Sequence, residues 1–273
     1  MKIVVVGGTG LIGRKLVAEL RGMGQAVIAA SLSTSVDAVT GEGLAAALAG
    51  ADAVIDASNP RGIQTPAAAE GAAAFFERSS ATLLAAERAA GVRHHIVLSI
   101  VGADRVGTSG YFRAKAAQES AVMAGRVPFS ILRSTQFFEF ANTIADWNTV
   151  EDTVHLPGTR IRPVASSDVV EALVSTVRSA PTGAVAEIAG PEEMPLDDFV
   201  RRVLLTQHDQ RYVMLKEGAQ PVGFTLEARF LAPDDAALIT RTTLDDWLSA
   251  RPAPAPVEHP RHAAAFTFAV DER

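Results

Sequence analysis

Short apolar runs alternate along the first half of this chain with stretches in which apolar residues return every three or four positions. The runs fall at residues 3–6 (IVVV), 26–30 (AVIAA), 53–57 (AVIDA), 95–100 (HIVLSI) and 129–133 (FSILR). Each has the length and composition of a strand buried on both faces. Between the first two, Leu11, Ile12, Leu16, Val17 and Leu20 form one helical stripe, closed by Gly22 and Gly24. Residues 43–49 predict a short helix. Residues 66–90 predict a long alanine-rich one, with Phe75, Phe76, Leu83 and Leu84 as core positions and Gly91 as its stop. Strand and helix take turns, which is the pattern of an α/β fold with a doubly wound parallel sheet.

Near residue 149 the rhythm shortens. Residues 153–156 and 161–165 read as short strands divided by Pro157 and Gly158, and 185–188 as another. Asp168 with Glu171 predicts a capping pair for a helix running to Arg178. Residues 195–205 predict a helix with Asp197 and Asp198 in its first turn, where the helix dipole favours acids. Residues 244–248, with Trp247, end the regular part, and 220–234 show no period. The division expected is a core over 1–150, a smaller α/β lobe over 151–250 partly interleaved with it, and a tail over 251–273. The tail opens with a proline-rich linker at 251–262 (RPAPAPVEHPRH), an extended kind of segment. Residues 263–270 (AAAFTFAV) are too apolar for a free end. They are expected to dock on the chain's own sheet or on a neighbouring subunit, which would make a homodimer.

Composition narrows the class. Hydrophobic residues make up 48% of the 273, enough for a sizeable core, and charged residues 21%. A net charge of −6 argues against binding nucleic acid or a membrane surface, both of which call for a basic face. The chain has no cysteine, so disulfides, thiolate catalysis and Cys-ligated zinc are excluded. No uncharged apolar run reaches membrane-spanning length. The N-terminus opens on a strand rather than on a charged lead and apolar core, so a cytoplasmic protein is expected.

The chemistry concentrates where strands end. The first strand runs into Gly7, Gly8, Thr9 and Gly10, then Leu11, Ile12 and Gly13 open a helix. Strand, glycine turn, helix is how a dinucleotide pyrophosphate is held. The turn calls for a residue without Cβ at Gly8, phosphate approach for Gly10, and helix–strand packing for Gly13. Free N–H groups at the helix start then face the phosphates. After the second strand, an acid would bond a ribose 2′-hydroxyl. Here Ser31, Leu32, Ser33, Thr34 and Ser35 follow, and the first acid is Asp37. Small hydroxyls leave room for a 2′-phosphate, and Arg14 could pair with it. NADP(H) is therefore the expected cofactor, with NAD(H) as the alternative.

Ala57 ends the third strand and Ser58, Asn59 and Pro60 follow it as a loop, at the edge where such sheets hold ligands. Asp56, just before them, reads as an acid bonded to loop backbone rather than a site acid. Adjacent His94 and His95 point to opposite faces of a strand, which argues against a shared metal. Tyr111 and Lys115 lie four apart at the start of a helix and so share a face. An ammonium beside a phenol stabilises the phenolate and readies it for proton transfer. Ser99, at the end of the preceding strand, could bond the same substrate oxygen.

These glycines, Ser99, and the Tyr111–Lys115 pair resemble the short-chain dehydrogenase/reductase superfamily, over roughly residues 1–190. GGTGLIG, LLAAERAAGVRHHIVLSIVG and ILRSTQFFEF resemble its atypical, NmrA-like branch most. The resemblance implies a Rossmann fold with a small C-terminal substrate lobe. It makes Tyr111 the acid/base, gives Lys115 the nicotinamide ribose as well, and has Ser99 steady the substrate oxygen. It places Thr135 and Gln136 at the nicotinamide, with Phe137, Phe138 and Trp147 beginning an apolar substrate pocket. One departure stands out: Ser99 and Tyr111 are closer in sequence than the superfamily's usual gap. The expected function is an NADP(H)-dependent oxidoreductase acting on a small, fairly apolar carbonyl compound. The alternatives are a non-catalytic redox sensor and, further off, a nucleotide-sugar epimerase or dehydratase.

Overall fold

The computed structural model describes residues 1–60, 66–105, 110–216 and 232–250, those from 66 to 70 by their backbone alone. The tail at 251–273, residues 106–109 and most of the aperiodic stretch 220–234 lie outside the described residues.

The core forms as β1 (Lys2–Val6), α1 (Leu11–Gly22), β2 (Ala26–Ala30), α2 (Leu44–Leu48), β3 (Ala53–Asp56), α3 (Pro66–Ala90), β4 (His94–Ile100), α4 (Gly110–Ala124) and β5 (Phe129–Ser134). Successive β1 side chains point to opposite faces of the sheet. Ile3 and Val5 meet Leu16 and Leu20 of α1, while Val4 and Val6 meet Leu44, Leu48 and Leu83 of α2 and α3. Both faces are thus dry, and a continuous apolar run is what such a strand requires.

Beyond β5 come α5 (Ala141–Trp147), β6 (Thr149–Val150), β7 (Thr153–Leu156), β8 (Arg160–Ile161), α6 (Ser166–Arg178), β9 (Val185–Ala189) and β10 (Met194–Pro195). The chain continues with α7 (Leu196–Thr206), β11 (Tyr212–Leu215), β12 (Leu238–Ile239) and α8 (Leu244–Ser249). The main sheet has seven parallel strands in the order β12-β9-β5-β4-β3-β1-β2. It is the doubly wound Rossmann-like α/β sheet expected. The chain leaves β1 toward β2, then crosses back to β3 on the other side, and a crevice opens at the carboxyl ends of strands where winding reverses.

A second core sits beside the first. Phe138, Ile144, Val154, Leu156, Phe199 and Leu244 pack together between α5, α7, α8 and the three-stranded sheet β11-β7-β6. α6 and β9 return to the large core, with Leu173 and Val177 of α6 against α1. Among the described residues, no helix is long and apolar enough to cross a membrane.

Two local expectations are corrected. The strand predicted at 161–165 is only β8, paired with β10, because Pro163 has no N–H for a ladder. Val164 makes a lone bridge to Phe137 instead. Asp168 does not cap α6. That helix begins two residues earlier, after Ala165, and the Asp168 carboxylate accepts from the Thr242 hydroxyl (2.7 Å) and backbone N–H (3.3 Å).

Candidate active site

The glycine turn is shaped by backbone contact. Gly7 has φ +75°, a conformation open chiefly to glycine. A Cβ on Gly8 would stand 2.8 Å from Ala29 Cα, so Gly8 lets β2 lie close. The residue that turns the chain is therefore Gly7, where the sequence reading assigned Gly8. At Gly13 a Cβ would fall 2.1 Å from the Gly7 carbonyl oxygen, which seats α1 directly against the turn. Gly10 begins α1 with no side-chain cap, so the first N–H groups of the helix stay available to an anion.

Above this turn lies a cavity of about 730 Å³. Gly7, Thr9, Gly10, Leu11 and Ile12 floor it. Ser31 and Ser33 stand on one side, and Ala57, Ser58 and Asn59 on another. Ser99, Tyr111 and Lys115 share a wall with Thr135, Gln136 and Phe137. Most of the residues singled out in the sequence therefore converge. The Ser31 hydroxyl bonds that of Ser33 (2.9 Å), and Asp37 turns Oδ1 to the Val39 N–H (2.8 Å).

Five expected residues do not line the cavity. Gly8 and Gly13 are packing positions, and Arg14 is exposed on α1. Phe138 is buried in the second core, its ring 5.4 Å from Trp247 and 6.2 Å from Phe199. Trp147 is half-buried away from the cavity. Phe75, Phe140 and Ile144 furnish the apolar wall in their place.

Several polar groups on the wall have no partner. Ser58 Oγ, Ser99 Oγ, Thr135 Oγ1 and both amide atoms of Gln136 are buried without a hydrogen bond among the described residues. A buried, unbonded polar atom costs about 1–3 kcal/mol. A cluster of them on one cavity fits a polar ligand that would satisfy them. A nicotinamide dinucleotide, with its amide and ribose hydroxyls, suits this set and the uncapped helix start below it.

Lys115 is 2% exposed. Its ammonium donates to the Leu98 carbonyl (2.9 Å) and to Gln118 Oε1, and lies 4.6 Å from the centre of the Phe76 ring. Burial pulls its pKa down to about 8, with Asp56 and Glu119 resisting. Tyr111 Oη donates to Asn59 Oδ1 (3.2 Å). Burial pushes its pKa up to about 12, opposed by the Asn59 bond. Without a bound ligand the Tyr111 pKa thus lies above its ordinary value, opposite to the direction expected, and the Lys115 ammonium is engaged by Leu98 and Gln118. Gln118 escaped the sequence reading, although its spacing of three from Lys115 was a usable signal.

Asp56 bonds loop backbone, as expected, and also a side chain of α4. Its Oδ1 accepts from the Ser58 N–H and its Oδ2 from Gln118 Nε2, each at 2.9 Å. His95 is bound to the buried carboxylate of Glu87 (2.7 Å); burial lowers the histidine's pKa, but the charge and hydrogen bond of Glu87, with the charge of Asp56, together raise it. His94 bonds Ser130 (2.9 Å) on the other face.

No family model matches the chain, and no curated protein matches its sequence. Solved structures do match. A short-chain dehydrogenase/reductase superfamily protein from Agrobacterium tumefaciens with bound NAD aligns at TM-score 0.68 and 18% identity, over 91% of this chain and 95% of that one. A dTDP-glucose 4,6-dehydratase from Streptomyces venezuelae with NAD bound gives 0.68 and 17%, over 91% and 95%. A dTDP-4-dehydrorhamnose reductase from Clostridium acetobutylicum gives 0.66 and 14%, over 91% of each chain. These likenesses establish the fold as that of the short-chain dehydrogenase/reductase structures.

Proposed function

We propose that this chain is an NADP(H)-dependent oxidoreductase of the atypical, NmrA-like short-chain type, acting on a small, apolar carbonyl compound. The carrying observation is the set of unpartnered buried groups at Ser58, Ser99, Thr135 and Gln136, facing the cavity that Tyr111 and Lys115 also line. Bound nicotinamide would supply or accept the hydride. Tyr111 would hand its phenolic proton to the substrate oxygen, Ser99 would hold that oxygen, and the spare N–H of Lys115 would serve the ribose. Phe75, Phe137 and Phe140 would exclude water from the reacting centre. Ser31 and Ser33, with no carboxylate directly after β2, support the phosphate-bearing cofactor. Arg14, exposed and off the wall, adds nothing to that preference.

A nucleotide-sugar enzyme is the second reading. It is favoured by the structural likeness to the dehydratase, which spans 91% of this chain and so takes in much of the smaller core.

Titration with NADPH, NADP⁺, NADH and NAD⁺ tests the proposal. NADPH is expected to bind tightest, and carbonyl compounds screened with it should turn over. Preference for oxidised cofactor without any turnover would overturn it in favour of a sensor. Turnover of a nucleotide sugar would favour the second reading.

A further inference from the structure

Lys115 is held from behind by a chain of polar groups whose direction is set at its far end. Asp56 closes β3 and is 2% exposed. As a carboxylate it can only accept, and it does so from the Ser58 N–H on Oδ1 and from Gln118 Nε2 on Oδ2. Gln118, 1% exposed, must therefore turn its NH₂ toward Asp56 and its carbonyl oxygen toward Lys115. That oxygen accepts from the ammonium. Leu98 takes a second N–H, so one of three is left without an acceptor among the described residues, on a side chain that lines the cavity.

We propose that Asp56 and Gln118 are positioning residues for Lys115: the acceptor-only carboxylate orients the Gln118 amide, and that amide keeps the lysine a donor aimed at the cavity. Neither residue touches the cavity's contents through this chain; both act through the lysine. The inference deepens the reading of Lys115 as the cation of a nicotinamide site and rests on that reading for its use.

The charged neighbours agree with this direction. Asp56 of β3 and Glu119 of α4 both favour the charged lysine, against burial that pulls its pKa down to about 8. Behind Asp56 stand Glu87 of α3 and His95 of β4, bound to each other and both within its electrostatic reach. Tyr111 of α4 shares the cavity wall and keeps its proton through neutral pH, so it adds no charge. An asparagine at position 56 would have one accepting atom for two donors. The Gln118 amide could then reverse and face Lys115 with N–H.

The chain contains four lysines, Lys2, Lys15, Lys115 and Lys216, so carbon-13 at lysine Cε gives a spectrum simple enough to assign with Lys115→Arg. Its pH titration reads the Lys115 ammonium in the free protein. Gln118→Met keeps the side chain's length and removes only its polar end; Asp56→Asn keeps shape and removes charge. Loss of the acceptor disfavours the ammonium, so the Lys115 midpoint should fall by about one pH unit in each variant. Lys2 and Lys15 should stay fixed. An unchanged Lys115 midpoint in folded Gln118→Met overturns the proposal, and this variant decides alone if Asp56→Asn does not fold. NADPH binding by the wild type, followed over the same pH range, separates the two ideas. Without it the nicotinamide reading fails, while the lysine titration still decides the chain.

Discussion

The carbonyl oxygen of Gly7 occupies the space where a side chain on Gly13 would begin, 2.1 Å from the ideal Cβ position. The obstacle is backbone, so it cannot swing away. Gly13→Ala should therefore cost about 1–3 kcal/mol or more, as other overpacked sites do. Gly10→Ala differs, because its Cβ would meet only the Gly7 oxygen, at 3.2 Å. That variant should lose distinctly less stability than Gly13→Ala yet bind dinucleotide at least about tenfold more weakly, since it crowds the phosphate approach. Urea unfolding beside nucleotide titration separates the two effects. Equal stability loss in both variants would count against this account.

Tyr111 holds its proton through neutral pH, with burial pushing its pKa up to about 12. A phenol in that state can donate to a developing alkoxide. Tyr111→Phe should retain nucleotide affinity and lose turnover by about 10²–10⁴-fold, the usual worth of a positioned acid. Full activity in the variant would remove Tyr111 from the mechanism.

How much of this site could be read from the sequence depended on how local each signal was. The run IVVV needs both faces dry, and Ile3/Val5 against Val4/Val6 deliver that in the fold. The aromatic pocket was only partly legible. Residues 138–140 form a 3₁₀ turn after β5, and a period of three puts Phe137 and Phe140 on one side and Phe138 on the other. Counting with a helical period of 3.6 could not separate them. Gln118 and Asp56 lie 62 positions apart, and neither alone signals a chain leading to Lys115. Asp168 carries the composition of a cap, but its partner Thr242 comes 74 residues later. Long-range pairing overrode a local signal there.

Glu139 ties α1 to the start of α6 through Lys15 (2.8 Å) and Ser166. Burial opposes its ionisation, but the Lys15 ammonium and Ser166 hydroxyl hold its pKa below the usual 4.5. A depressed carboxylate adds stability that is present above the unfolded pKa and lost as pH falls through the folded one. Urea midpoints for wild type and Glu139→Gln should therefore differ at pH 7 and converge as pH drops below about 4.5. A gap that stays constant down to pH 3 would show that the carboxylate charge adds nothing.

Arg133 is buried beside Glu119, donating from Nε at 2.9 Å and Nη2 at 2.6 Å, with Asp104 at 2.9 Å on Nη1. Removing one buried partner strands the other. Arg133→Met should cost about 3–5 kcal/mol, and the double variant Arg133→Met/Glu119→Met distinctly less than the sum of the singles. Chemical unfolding of the four proteins in a cycle gives the coupling. Additive costs would mean that Glu119 has other support.

The cofactor preference turns on the residue directly after β2. Ser31 lines the cavity and bonds Ser33, and the nearest acid, Asp37, is turned to its own loop backbone. An acid at this position accepts from a ribose 2′-hydroxyl and repels a 2′-phosphate. Ser31→Asp should therefore weaken NADPH and strengthen NADH, moving the ratio of their affinities by about tenfold or more, the weight of one charge–phosphate contact. Its local cost is small, because aspartate can also begin the short 3₁₀ turn at residues 32–34 that Ser31 caps. Parallel fluorescence titrations of the wild type and the variant with NADPH and NADH measure the ratio. If it does not move, the 2′ position lies elsewhere in the cavity, and the preference for NADP(H) loses its structural basis.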